Sequence, residues 1–172
     1  MEGNLEKMGL REFLIDGLEE IYDAEEKFVK CFAALGMVAV NEELKNMLIS
    51  HSEVTEKHCS RLKQICKQLQ CDPGEGNCVI VGCLLDKAAV LIKRVETGSA
   101  LRDVAIVFLI QTIEHYRIAT YGNLASLALE MKYFDIHSLL RQCLADEKET
   151  DRFLTRIAKE IINPAANNDF AS

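Results

Sequence analysis

Apolar residues recur along this chain at the three- and four-residue intervals of an α-helix, and the stripes they draw predict long helices. The first stripe, Leu14, Leu18, Ile21, Glu25, Phe28 and Phe32, predicts helix A from Gly9 to Leu35, with Gly36 as its stop. The second begins after Asn41, a good N-cap followed by two acids, and ends before Asp72-Pro73-Gly74. It runs through Leu44, Leu48, His51, Thr55, His58, Leu62, Ile65 and Leu69, and defines helix B. A shorter apolar segment, Val79 to Glu96, reads as a connector helix. Gly98-Ser99 then breaks the chain and caps helix C, which reaches Met131 through Val107, Gln111, Glu114, Ile118, Tyr121, Ala125 and Ala128. Within it, Gly122 predicts close approach of a neighbouring helix. Asp135 caps helix D, whose line is Leu140, Cys143, Glu147, Thr150, Leu154, Ile157 and Ile161. The closing NPAANNDFAS, residues 163–172, has the composition of a fraying tail.

The connectivity narrows the fold. Residues 1–172 read as one domain with a helical core over 9–162, and the long connection lies between the second and third long helices. A plain up-down bundle needs only a short turn there, whereas a long link lets the third helix run parallel to the second. The expected fold is all-α, a ferritin-like four-helix bundle with a short extra helix in that connection.

Composition adds mainly exclusions. The chain is 49% hydrophobic and 27% charged, which suits a globular protein, and with no tryptophan its core must be largely aliphatic. A net charge of −7 without a basic run argues against a nucleic-acid partner. Apolar stretches are broken by charge well short of a membrane span, and MEGNLEKMGLREF has no apolar signal core, so a cytoplasmic protein is expected. The seven cysteines include no C-x-x-C pair and mostly fall within helical patterns, where a thiol acts as a small buried hydrophobe.

The chemistry lies in the residues that interrupt the apolar lines: Glu25 on A, His58 on B, Glu114 on C and Glu147 on D. Each stands within about one turn (~5 Å) of its helix midpoint, so in a bundle they meet at one level. Three buried carboxylates repel one another and resist desolvation, and divalent metals would resolve the conflict. Asp151, one turn beyond Glu147, could be a further ligand or could hold one in place. Against this stands the plainer reading that each is a satisfied or snorkelling side chain. His51 reads as a satisfied core or rim histidine, and His115 and His137 fall off the lines, on the surface.

Four segments carry a resemblance to a known family: LIDGLEEIYDAEEKF, HSEVTEKHCSRL, IEHYRIATYGNL and LADEKETDRFL, in this order. With them the chain resembles the YciF-like stress proteins, a ferritin-like group of bacterial four-helix bundles. The resemblance implies a ferritin-like fold, homodimers, a stress-associated role of undefined chemistry, and a di-metal centre for iron or manganese. It puts Glu25, His58, Glu114, Glu147 and Asp151 at metal-facing positions. It also exposes two departures, because the family pattern has glutamates where this chain has Val54 and Arg117. Val54 removes an anionic ligand, and Arg117 brings a permanent cation within a turn of Glu114.

Two functions follow. If iron loads, the chemistry is oxygen or peroxide reduction, with Tyr22 or Tyr121 as redox neighbours. If Arg117 reaches inward, the site is a partial one or is closed by a salt bridge, and the chain is a degenerate metal-free bundle acting as a dimeric interaction module. If Arg117 instead snorkels outward, it matters little. Nothing in the sequence encodes the contacts of a storage shell, a nucleophile arrangement or a phosphate-binding loop.

Overall fold

A computed structural model describes residues 9–74 and 78–171, so the reading of residues 1–8 as lacking a signal core lies outside the described residues. The elements are α1 (Leu10–Val38), α2 (Glu42–Leu69), α3 (Val79–Arg94), α4 (Ala100–Glu130), α5 (Phe134–Ile157), a π-helical turn (Ala158–Ile162) and α6 (Asn163–Ala171). α1 packs along α2 and α4 along α5, each pair forming a hairpin, and α3 lies in the crossover between them. This is the ferritin-like arrangement that the long connection implied.

Local chemistry explains most boundaries. The Asn41 side chain accepts from Leu44 N at 3.0 Å to cap α2. α1 does not stop at Gly36 but continues to Val38. The turn after it is held from α4, where the buried Asp103 carboxylate accepts the N–H groups of Val40 and Asn41 at 2.8 and 2.7 Å. Beside it, buried Arg102 closes the end of α3 by donating to the carbonyls of Val95 (2.8 Å) and Glu96 (3.2 Å). Ser99 precedes α4 as expected, yet its hydroxyl donates to Glu96 O rather than capping the helix. Asp135 lies inside the first turn of α5, and the N-cap is Tyr133.

The expected tail is instead helical from Asn163 to Ala171, with Ser172 outside the described residues. Pro164 has no N–H and its ring crowds the carbonyl four residues back, so the helix can pass it only by widening. The π-turn does this, with Asn163 N–H bonded to Ala158 O. α6 then packs against α4.

The core is aliphatic with a few aromatic rings, including Leu18, Phe28, Phe32, Leu48, Leu62, Ile106, Ile110, Ile113, Leu140 and Leu154. Close approach falls at Gly17 rather than Gly122: a Cβ on Gly17 would sit 2.7 Å from Leu124 Cδ2, while one on Gly122 would meet nothing within 4 Å. All seven cysteines are free, with Cys66, Cys78 and Cys143 buried and Cys83 exposed.

Candidate functional site

Among fully buried side chains the polar ones gather at one level of the bundle. α1 supplies Glu25, α2 supplies Thr55 and His58, α4 supplies Glu114 and Arg117, and α5 supplies Glu147, each 0% exposed. His51, 3% exposed, joins them from two turns up α2. Helical spacing does this: each lies on the stripe that faces the bundle axis, flanked above and below by Leu, Ile or Phe.

Arg117 occupies the centre. Its Nε and Nη2 grip Glu25 in a fork, at 3.1 Å to Oε1 and 2.6 Å to Oε2. Nη2 also lies 2.7 Å from Glu147 Oε1 and 3.2 Å from both Thr55 Oγ1 and His58 Nδ1. Nη1 donates to Glu114 Oε1 at 3.1 Å and stands 2.8 Å from His51 Nε2. Phe28 and Phe32 flank the guanidinium, their ring centroids 5.8 and 5.5 Å from its carbon. Tyr121 completes the Glu25 shell by donating to Oε1 at 2.8 Å.

The electrostatics follow from burial and from this one cation. Burial works against a charged Arg117, but Glu147, Glu25 and Glu114 outweigh it and hold its pKa well above the usual value. Burial likewise disfavours a charged Glu114, yet Arg117, Glu147 and His51 keep its carboxyl well below the usual range. Glu147 goes the other way: burial raises its pKa well above the usual carboxyl value, Arg117 opposes this, and Glu114 adds to it. As a carboxylate, Glu147 would be buried with no hydrogen-bond donor on either oxygen, since its approaches to Arg117 and to His58 Nδ1 (2.8 Å) are contacts without aligned N–H groups. The neutral acid avoids that cost, in keeping with the direction in which burial and Glu114 push its pKa. His58 is neutral as well, since burial lowers its pKa to about 4 against the pull of Glu25. Its Nε2 meets Asp146 Oδ2 at 3.1 Å, and Asp146 is held in turn by Arg61 Nη1 at 2.7 Å.

Two groups of side chains bring ligand atoms within 4.8 Å of one another and could hold a metal ion: Glu25, His58 and Glu147, and His51, Glu114 and Glu147. The guanidinium already stands in both. Nη2 contacts every member of the first group, and Nη1 contacts His51 and Glu114 of the second. A pair of divalent ions would lie against a permanent cation, so with Arg117 in place the residues do not fit a di-metal centre.

Four of the residues expected at this level, Glu25, His58, Glu114 and Glu147, are brought together. Asp151 is not; it lies on the flank of α5, 3.3 Å from Gln111 Nε2 and 3.5 Å from His115 Nε2. A residue one turn along a helix is also rotated about its axis, which carries Asp151 off the inward stripe. Tyr22 also points elsewhere, donating to Glu26 Oε1, and only Tyr121 touches the layer. His115 is exposed as expected, while His137 is half-buried with Nδ1 2.8 Å from Ala125 O. His51 takes the core form of the two expected for it, buried and in contact with Glu114, Arg117 and Thr150, and it shares the inward stripe of α2 with His58. Val54 is outside the layer and lines a groove of about 540 Å³ between α2 and α5, which also touches His51, Thr150 and Phe153.

Comparison with known proteins agrees with this architecture. The family model described as a domain of unknown function, DUF892, matches residues 9–167. Protein YciF of Escherichia coli K12 is 31% identical over 160 residues, covering 92% of this chain and 96% of that protein. The crystal structure of the E. coli stress protein YciF superposes with a TM-score of 0.86 at 30% identity, over 91% of this chain and 99% of that one. YcfI of Rhodopseudomonas palustris gives 0.84 at 32% identity, over 88% and 96% of the two chains. A Xanthomonas campestris protein at 19% identity and a TM-score of 0.73, over 93% and 97%, shares the fold. With the family model covering nearly the whole chain and YciF its relative in sequence and fold, this protein belongs to the DUF892 family of ferritin-like helical bundles.

Proposed function

We propose that this chain is a metal-independent member of its family: a stress-associated cytoplasmic protein that acts through protein contacts, as a homodimer, rather than by redox chemistry at a di-metal centre. One observation carries this reading, the Arg117 guanidinium lodged between Glu25, Glu114 and Glu147. It supplies from within the chain the positive charge that metal ions would otherwise bring. The stress role rests on kinship with a protein described as the E. coli stress protein YciF. A cytoplasmic location agrees with the finding that, among the described residues, no helix is long and apolar enough to cross a membrane. Exposed Val79, Ile80, Val90, Leu101 and Phe108 on α3 and α4 offer apolar surface for contact with a partner copy.

The test is metal content per chain, in protein purified without chelators and again after anaerobic addition of Fe(II) or Mn(II). The expected result is no stoichiometric metal in either sample, with dimers in sedimentation. One or two tightly bound ions per chain would overturn the reading. A second reading, iron or manganese bound after Arg117 swings out, is favoured by the two oxygens of Glu147 that receive no hydrogen bond. Such ions would supply oxygen or peroxide reduction, and the same measurement separates the two readings.

A further inference from the structure

Far from the buried layer, α2 ends in a closed left-handed turn. Gln70 has φ 56° and ψ 40°, in the left-handed region. Its N–H bonds Lys67 O at 3.3 Å, and the next N–H, from Cys71, reaches back to Cys66 O at 3.0 Å. This pair of bonds is a Schellman motif, which folds the two residues flanking the turn onto each other, usually as a hydrophobic contact. Here both contact positions are cysteines. Cys66 is 1% exposed within the core, whereas Cys71 packs on the core's edge and remains partly open to solvent. The Cys71 sulfur lies 3.6 Å from the carbonyl oxygen of Cys66.

A disulfide requires Cα atoms roughly 4.4–6.8 Å apart, and here the closing bond from Cys71 N–H to Cys66 O at 3.0 Å draws the two residues together, with the Cys71 sulfur turned back over Cys66. We propose that Cys66 and Cys71 form a dithiol–disulfide site that responds to peroxides. Cys71, the accessible thiol, attacks hydrogen peroxide: an S–O bond forms, the O–O bond breaks, and the departing hydroxide takes the thiol proton and leaves as water, giving a sulfenic acid. Cys66 then attacks the Cys71 sulfur, an S–S bond forms, the S–O bond breaks, and the hydroxyl leaves as a second water with the Cys66 proton. Two thiols are oxidised and one peroxide is reduced to two waters. The division of roles follows from environment, since burial, together with the neighbouring Cys71, pushes the Cys66 thiol up to about 12.

The bridge would fasten the end of α2 to the start of the crossover, at a point already tied to α1 by Arg11 Nη2 donating to Leu69 O at 2.7 Å. The experiment uses the full chain exposed to hydrogen peroxide, with remaining thiols alkylated before digestion. Trypsin cuts after Lys67, so a Cys66–Cys71 bridge joins residues 64–67 to 68–87, and a second cut after Glu75 separates Cys71 from Cys78 and Cys83. The expected result is that the two alkylatable thiols disappear together into one linked pair, that reductant restores both, and that Cys71→Ser abolishes the link. The wild-type map stands even if that variant misfolds. Oxidation that ends at sulfinic acid on Cys71, or that links Cys71 elsewhere, overturns the proposal, as does a chain whose Cys66 and Cys71 remain alkylatable.

Discussion

Arg117 makes the buried acids tolerable, and substitution there has a calculable sign. Arg117→Glu replaces the guanidinium lodged among Glu25, Glu114 and Glu147 with another carboxylate. Breaking a buried pair in this way costs about 3–5 kcal/mol, read as a drop in urea stability. Mn(II) should then raise the melting temperature of the variant and leave that of the wild type unchanged. A metal-free variant as stable as the parent would show that Arg117 is not the charge partner. Two neighbours make stability depend on pH in opposite directions. His58 falls from 6.5 to about 4 in the folded chain, so the native state binds fewer protons and stability declines as pH drops through that window. Glu147 is raised above 4.5, so its contribution is complete below that value and fades as pH climbs toward its folded pKa. Urea titrations across pH should show Glu147→Gln abolishing the decline on the rising side and leaving the acid side intact. Glu25, His58, Glu114 and Glu147 were legible because each breaks an apolar line. The direction of Arg117 was not, since an arginine one turn from Glu114 can reach in or snorkel out, and what holds it inward is Glu25 and Glu147 on other helices, with the rings of Phe28 and Phe32 beside it.

At the scale of the element, the helices were readable where side chains alternate between core and water, and misread where a helix is buried on several sides. On α4 the line through Val107, Gln111 and Ile118 caught one edge of a broad buried face that also includes Ile106, Ile110, Ile113 and Arg117. The same breadth hid Arg102 and Asp103, which look like surface charges in sequence but brace the turns around α4. The tail misled for another reason: its polar composition resembles a loop, yet a π-turn lets the helix pass Pro164. Helix contact predicts a contrast between two glycines. Gly17→Ala pushes a methyl group against Leu124 and should cost about 1–3 kcal/mol, whereas Gly122→Ala enters open space within a helix and should gain about 0.5–1 kcal/mol. Paired denaturation curves decide it, and a gain at both sites would mean that Leu124 yields freely.

The two hairpins are joined through charge as well as through apolar packing. Arg117 of α4 grips Glu25 of α1 at 2.6 Å, and His58 of α2 meets Asp146 of α5 at 3.1 Å. Separating the hairpins breaks both contacts together with the apolar packing around them, so α1, α2, α4 and α5 should open only together. α3 is held differently: it buries only Val81 and Ala88, and leaves Val79, Ile80 and Val90 more than half exposed. Its ends are pinned by Asp23, which accepts Cys78 N–H at 2.9 Å, and by Arg102, but little apolar area secures its middle. Local stability follows buried contact, so hydrogen exchange should find α3 amides opening well below the global unfolding free energy while those of α4 and α5 exchange only with it. Protection of α3 equal to that of α4 would contradict this in an isolated chain. Dilution then identifies the cause: protection that falls as the protein is diluted places a partner copy over the exposed face of α3, and protection that does not change makes α3 part of the bundle's cooperative core.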